Sequence, residues 1–318
     1  LVSTLIFVIR PMLYFFYVKK HYKIDAKAPA DEDAISQKWD GLGQHIAFFV
    51  HTNTDVVILS LLNTLKNVSV YSIYQGIISG IGNIVSCLSQ GIVSTLGNML
   101  ALHEDKTLHT TFDMYELMNS MLVSAFYSTT ILCIIPFVRI YMSGVTDANY
   151  IQPVFACILI ASAAVCSFRS PYSDICFAAG HYKQTSFGAY LEVGLNVSIS
   201  LLLVKRYTLT GIAIGTLIAI TSRTFYYIFY LKKNLLQRKP SKAFAAMGVT
   251  LLSVLCCYGF VRFVIRFEIS NFMLWIAYGF ISLIICSLIT FVVFFVFYRE
   301  RTKALVKKSI SVLKKRKD

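Results

Sequence analysis

Ser186–Val204 reads SFGAYLEVGLNVSISLLLV, an almost wholly apolar run. An α-helix needs about 20 such residues to cross a hydrocarbon core. Within the run, Glu192, Asn196 and Ser200 recur at steps of four, which puts them on one helix face. A charge at the bilayer centre costs about 2.5–3.5 kcal/mol even on a lenient insertion scale. Asp55, Arg169, Asp174 and Arg223 sit in other runs of the same kind. Five such charges facing lipid would cost on the order of 10 kcal/mol. They must therefore face one another or a wet cavity, and a charged interior in a helical membrane bundle points to transport.

The rest of the chain agrees. It has 318 residues, of which 56% are hydrophobic and 14% charged, with a mean hydropathy of +0.64. Ordinary soluble domains are about 25% charged. Backbone polar groups cannot go unpaired in lipid, so the spans should be helices. A membrane β-barrel would show short alternating segments, and none is seen. The predicted fold is thus an all-α polytopic bundle. Nine spans are expected, at about 1–18, 44–64, 70–101, 114–142, 151–178, 186–204, 211–231, 243–265 and 272–298. The glycines of 70–101 suit close helix packing, and Pro11, Pro136 and Pro171 should kink their helices. The chain opens Leu1-Val2-Ser3, without Met and already inside an apolar run, which reads as the C-terminal part of a longer protein.

Lys and Arg divide unevenly between the two sides of this topology. Of the 30, 21 fall in 19–43, at Lys106 and Lys183, in 232–242 and after 298; six fall on the opposite side. The positive-inside rule places the first group, with the C-terminus, in the cytoplasm and the start of the chain outside. The net charge of +14 is then a property of one membrane face. No basic–aromatic module accompanies it, and no nucleic-acid partner is expected. After residue 298, Val306, Ile310 and Leu313 recur at helical spacing among lysines. This segment is either a basic helix lying on anionic lipid or a frayed polar tail. The eight cysteines lie in apolar runs without zinc-site spacing and read as small buried hydrophobes. No metal and no cofactor is expected.

The polar residues inside the spans form candidate sites. His51 and Asp55 are four apart and share a face; together they can carry a proton or a cation, or make a structural hydrogen bond. Ser79, Asn83, Ser86, Gln90 and Ser94 form a polar stripe that either lines a cavity or joins helices. Pro171 frees a backbone carbonyl that nearby serines can take. Arg169 and Asp174 lie toward the cytoplasmic end, where they can pair or simply snorkel to the interface. Arg223 is the natural partner of Glu192 or of an anionic ligand, because a guanidinium fork matches phosphate oxygens. Arg10, followed by Pro11, offers a further internal guanidinium. The candidate cavity residues are Arg10, Asn83, Gln90, Glu192, Asn196 and Arg223, and the candidate ion-coupling pair is Asp55 with His51.

Two stretches carry a family resemblance. One is Phe177-Ala178-Ala179-Gly180-His181-Tyr182-Lys183-Gln184-Thr185, followed by Glu192, Asn196 and Gly211-Ile212-Ala213-Ile214-Gly215-Thr216. The other is Asn53-Thr54-Asp55-Val56-Val57-Ile58-Leu59-Ser60, then Val70-Tyr71-Ser72-Ile73-Tyr74. Together they resemble the C-terminal half of polysaccharide (O-antigen type) flippases of the MATE-like multidrug/oligosaccharidyl-lipid/polysaccharide exporter superfamily. The resemblance covers almost the whole chain. It implies a two-lobed transporter in which 1–18 ends the N-terminal lobe, 19–43 is a cytoplasmic linker and 44–231 is the six-helix C-terminal lobe. It further implies two additional helices in 232–298 and a basic tail in 299–318. The implied activity is flipping of undecaprenyl-pyrophosphate-linked oligosaccharide across the bacterial inner membrane by alternating access driven by an ion gradient. Membrane lipids, a polysaccharide polymerase and glycosyltransferases are the implied partners. A multidrug cation antiporter and a peptidoglycan-precursor flippase are alternatives in the same superfamily. A glycan polymerase or ligase is disfavoured by the short external loops, and the absence of a Walker motif excludes ATP use by this chain.

Overall fold

The computed structural model describes residues 2–22, 38–89, 91–264 and 269–315, and these form helices without strands. In chain order the helices are α1 (Val2–His21), α2 (Lys38–Leu62), α3 (Leu65–Ser89), α4 (Gly91–Ala101) and α5 (Asp105–Tyr141). There follow α6 (Pro153–Ala178), α7 (Tyr182–Asn234), α8 (Pro240–Val264), α9 (Phe272–Phe297) and α10 (Arg299–Lys315). Seven of them are long and apolar enough to cross a membrane: α2, α3, α5, α6, α7, α8 and α9.

The chain divides into two compact units, Leu1–Trp39 and Asp40–Asp318. The first contains α1, which exposes large apolar side chains from Leu5 to Tyr17 around its circumference. A helix apolar on every side belongs in lipid or in a core.

In the second unit one expectation changes. The stretch 70–101 is two helices. α3 begins five residues before that stretch and is already long enough to span, which leaves α4 as a short helix of 11 residues. The runs 186–204 and 211–231 lie on the two helical arms of α7, a 53-residue segment whose backbone breaks at Thr208 (φ 49°, ψ −120°). The interruption makes α7 an antiparallel hairpin. A Cβ on Gly211 would strike the backbone of Leu203, and one on Gly215 would strike Ser200. Bare backbone at these two positions lets the arms meet close to the turn.

The long helix α5 runs through the middle of the unit. Phe112, Tyr115, Val123, Tyr127, Leu132, Ile134 and Val138 on α5 are all buried, and they join clusters that also draw on α3, α6, α7, α8 and α9. Polar contacts fix the helix ends. Tyr74 Oη donates to the Tyr150 carbonyl at 2.8 Å. Trp275 Nε1 donates to the Cys133 carbonyl at 3.0 Å, tying α9 to α5. Hydrophobicity does not drive helices together inside lipid, so close packing and such bonds must do it. Outward, α9 presents Phe280, Leu288, Val292 and Val296, as a lipid-facing surface should.

Candidate functional site

Four of the five span charges named from the sequence lie in one buried neighbourhood built from α2, α3, α6 and the two arms of α7. Glu192, on the first arm, is its centre. Arg223 Nη1, from the second arm, reaches Glu192 Oε2 at 2.5 Å, and Arg169 Nη1, from α6, reaches Oε1 at 2.9 Å. His51 Nε2 on α2 lies 3.9 Å from the same Oε1. Glu192 is 1% exposed, so its charge is answered inside the protein rather than by water. Arg223 keeps donors in hand: its Nη2 reaches Tyr227 Oη at 3.2 Å and Gln44 Oε1 at 3.4 Å, and its Nε is buried without a hydrogen-bond partner.

One helical turn away, Asp55 is equally enclosed, at 2% exposure. Its Oδ2 accepts from Tyr71 Oη and from Thr216 Oγ1, each at 2.9 Å, and its Oδ1 is 3.4 Å from Asn196 Nδ2. Asn196 also donates to Thr216 Oγ1 at 3.0 Å. Three buried polar atoms nearby have no hydrogen-bond partner: Asn196 Oδ1, Ser200 Oγ and His51 Nδ1. Buried polar groups are nearly always satisfied, so this concentration of unmet capacity marks the site. Among the described residues, no group of three or more His, Cys, Asp or Glu is placed to hold a metal ion.

The arginine on α6 is set by the chain around it. Pro171 has no N–H to offer the Ser167 carbonyl four residues back. Asn119 Nδ2 on α5 takes that carbonyl at 2.9 Å, and Tyr127 Oη meets Ser167 Oγ at 2.7 Å. The sequence suggested serines for this role; Ser173 bonds the Ser170 carbonyl instead. Two residues after Ser167, Arg169 is thereby pinned toward Glu192. Its side chain is 11% exposed, which makes it an interior group and not a snorkelling one. Asp174 separates from it and accepts from Tyr115 Oη at 2.6 Å.

The remaining candidates are dispersed. Asn83 is exposed on α3, as are Ser79 and Ser86, and Ser94 is exposed on α4, so the stripe is an open face of this unit. Gln90 lies outside the described residues. Arg10 belongs to the other unit, where its guanidinium lies 5.8 Å from the centre of the Tyr14 ring.

A second charged cluster was not foreseen. Glu116 on α5 is 3% exposed and is gripped through both oxygens by Arg238, with Tyr172 Oη as a further donor. Arg238 also lies 3.3 Å from Asp113, and Arg301 on α10 reaches Asp113 at 2.8 Å. Burial works to lower the Arg238 pKa, but the Glu116 carboxylate outweighs it and raises it above the usual guanidinium value. Glu116 sits at the edge of its apolar stretch, where the sequence alone allows an exposed end position. The signal that marks it is its offset of three from Asp113, which gives α5 two acids on one face.

No protein-family model matches the sequence, and no curated protein matches it. Two solved transporters share its fold. A lipid II flippase, MurJ, in an inward closed conformation superposes with a TM-score of 0.65 and 16% identity, over 91% of this chain and 60% of that one. An outward-facing multidrug resistance transporter of the MATE family, in the MOP superfamily, gives a TM-score of 0.55 and 12% identity, over 86% of this chain and 67% of that one. The chain thus spans about 60% of the length of the solved flippase. At these identities the likeness is one of fold: a polytopic helical membrane bundle of the kind MOP-superfamily transporters adopt.

Proposed function

We propose that this chain is part of a flippase that moves undecaprenyl-pyrophosphate-linked oligosaccharide from the cytoplasmic to the outer leaflet of a bacterial inner membrane. The observation that carries the proposal is the buried set Arg169–Glu192–Arg223 beside Asp55, inside a fold shared with a lipid-linked-substrate transporter. Guanidiniums with unused donors suit a pyrophosphate. In this reading Glu192 holds both arginines while no substrate is bound and yields them when an anionic head group arrives. Asn83, on the open face of α3, is a further cavity residue.

Asp55 and His51 couple the cycle to a proton or monovalent cation. The unpaired Asn196 Oδ1 close to Asp55 supports this, since it is an acceptor awaiting a positive partner. Binding there neutralises Asp55 and biases rocking of the 44–231 lobe against a preceding one, which is alternating access around a central site. Residues 232–298 add two helices to that lobe. The C-terminus is cytoplasmic, and the chain is a transporter rather than an enzyme.

The full-length gene carrying Glu192→Gln or Arg223→Ala should insert normally but reduce surface glycan. Wild-type glycan output from both variants would sink the reading. A peptidoglycan-precursor flippase is the second reading, favoured by the closer overlap with MurJ than with the multidrug transporter. Rescue of a strain depleted of its lipid II flippase, without rescue of an O-antigen flippase mutant, would select it.

A further inference from the structure

A second feature lies apart from Glu192 and Asp55. A cavity of about 610 Å³ opens between α5, α6, α8 and α9, at the end of the bundle where α5 and α8 finish and α6 and α9 begin. Its volume is in the range of about 300–1,000 Å³ usual for small-molecule sites. Its floor includes Ile134, Ile135 and Ile160, and its polar lining includes Arg139, Arg262 and Tyr258. Both arginines are exposed, and among the described residues neither forms an ion pair.

Each arginine lies in the last turn of its helix, where a cation complements the helix dipole by about 0.3–1 kcal/mol. That explains one basic residue per helix end. It does not explain why both side chains line the same cavity over an apolar floor. The facing rim adds Pro153, at the first turn of α6, and Ser270, next to the N-cap of α9. Helix N-termini favour anions. An anion-favouring rim above an aliphatic floor, at the end of membrane-spanning helices, matches a molecule that carries both a phosphate and a hydrocarbon chain. Free phosphate would leave the floor unused, and a zwitterionic lipid would set its own cation against the two guanidiniums.

We propose that this cavity binds an anionic glycerophospholipid, with the phosphate at Arg139 and Arg262 and one acyl chain along Ile134, Ile135 and Ile160. The site is separate from the Glu192 neighbourhood, so it stands whatever that neighbourhood transports.

The test uses the purified full chain in neutral detergent, with native mass spectrometry and thermal unfolding. Phosphatidylglycerol should be retained and should raise the unfolding midpoint; phosphatidylcholine and inorganic phosphate should do neither. The double variant Arg139→Gln/Arg262→Gln should weaken phosphatidylglycerol retention at least tenfold while unfolding at the wild-type temperature without lipid. Cys157 is exposed and lines the cavity. Cys157→Trp should fill it and lose the lipid with both arginines still in place. Equal retention by wild type and the double variant overturns the proposal, as does equal stabilisation by phosphatidylcholine. Stabilisation by inorganic phosphate alone overturns the lipid assignment. If the double variant does not fold, retention of phosphatidylglycerol by Cys157→Trp decides against it.

Discussion

Glu192 is held by arginines from two different elements, and its substitutions should not behave additively. Losing Arg169 or Arg223 alone leaves the carboxylate one partner; losing both strands a buried charge, which costs about 3–5 kcal/mol. The double variant Arg169→Ala/Arg223→Ala should therefore lose more stability than the two single losses combined, measured by thermal unfolding in detergent. Additive losses would show that the carboxylate finds water or takes a proton without penalty. Pairing of Glu192 with Arg223 was legible in the sequence, because both are charges deep in apolar runs. The place of Arg169 was not. Its position toward the end of its run allows an exit to the interface, and only the Asn119 and Tyr127 contacts to Ser167 close that route. Asn119→Ala should lower stability by about 1–3 kcal/mol, since it leaves a buried carbonyl unpaired. Through Arg169 it should also depress transport, while the equally buried Thr290→Val, remote in α9, should not.

The hairpin of α7 is where element-scale consequences lie. Thr208 has a positive φ, which is costly for a β-branched residue. Thr208→Gly should raise the unfolding midpoint, corresponding to about 1 kcal/mol. A lower midpoint would mean that the threonine stabilises the turn in some other way. Gly215→Leu should do the reverse and more severely, because the added side chain meets Ser200 and parts the arms that carry Glu192 and Arg223. Hydropathy located both arms and their length. It gave no hint that the turn between them is so tight, with non-helical backbone at Thr208 alone. The division of 70–101 into α3 and α4 escaped for a related reason: apolar content marks what is buried in lipid, not where a backbone changes direction.

At the scale of the whole molecule, the Glu116 cluster joins α5, α6, the segment between α7 and α8, and α10. Arg238→Ala would leave Glu116 buried beside Tyr172 alone and should destabilise by about 3–5 kcal/mol. Arg301→Ala acts on a partly exposed pair and should cost no more than about 1 kcal/mol. Thermal unfolding separates the two, and similar losses would argue that the cluster acts as one network. The segments were readable from composition, yet this junction was not, since Arg238 and Glu116 are 122 residues apart and no local pattern relates them. The chain holds two tryptophans. Trp39 is 72% exposed, whereas Trp275 bridges α9 to the Cys133 carbonyl of α5. With Trp39→Phe, the protein therefore carries a built-in optical gauge: the emission colour and lifetime of one indole report, in real time and without a dye, whether its last long helix stays seated on the bundle as the rest moves.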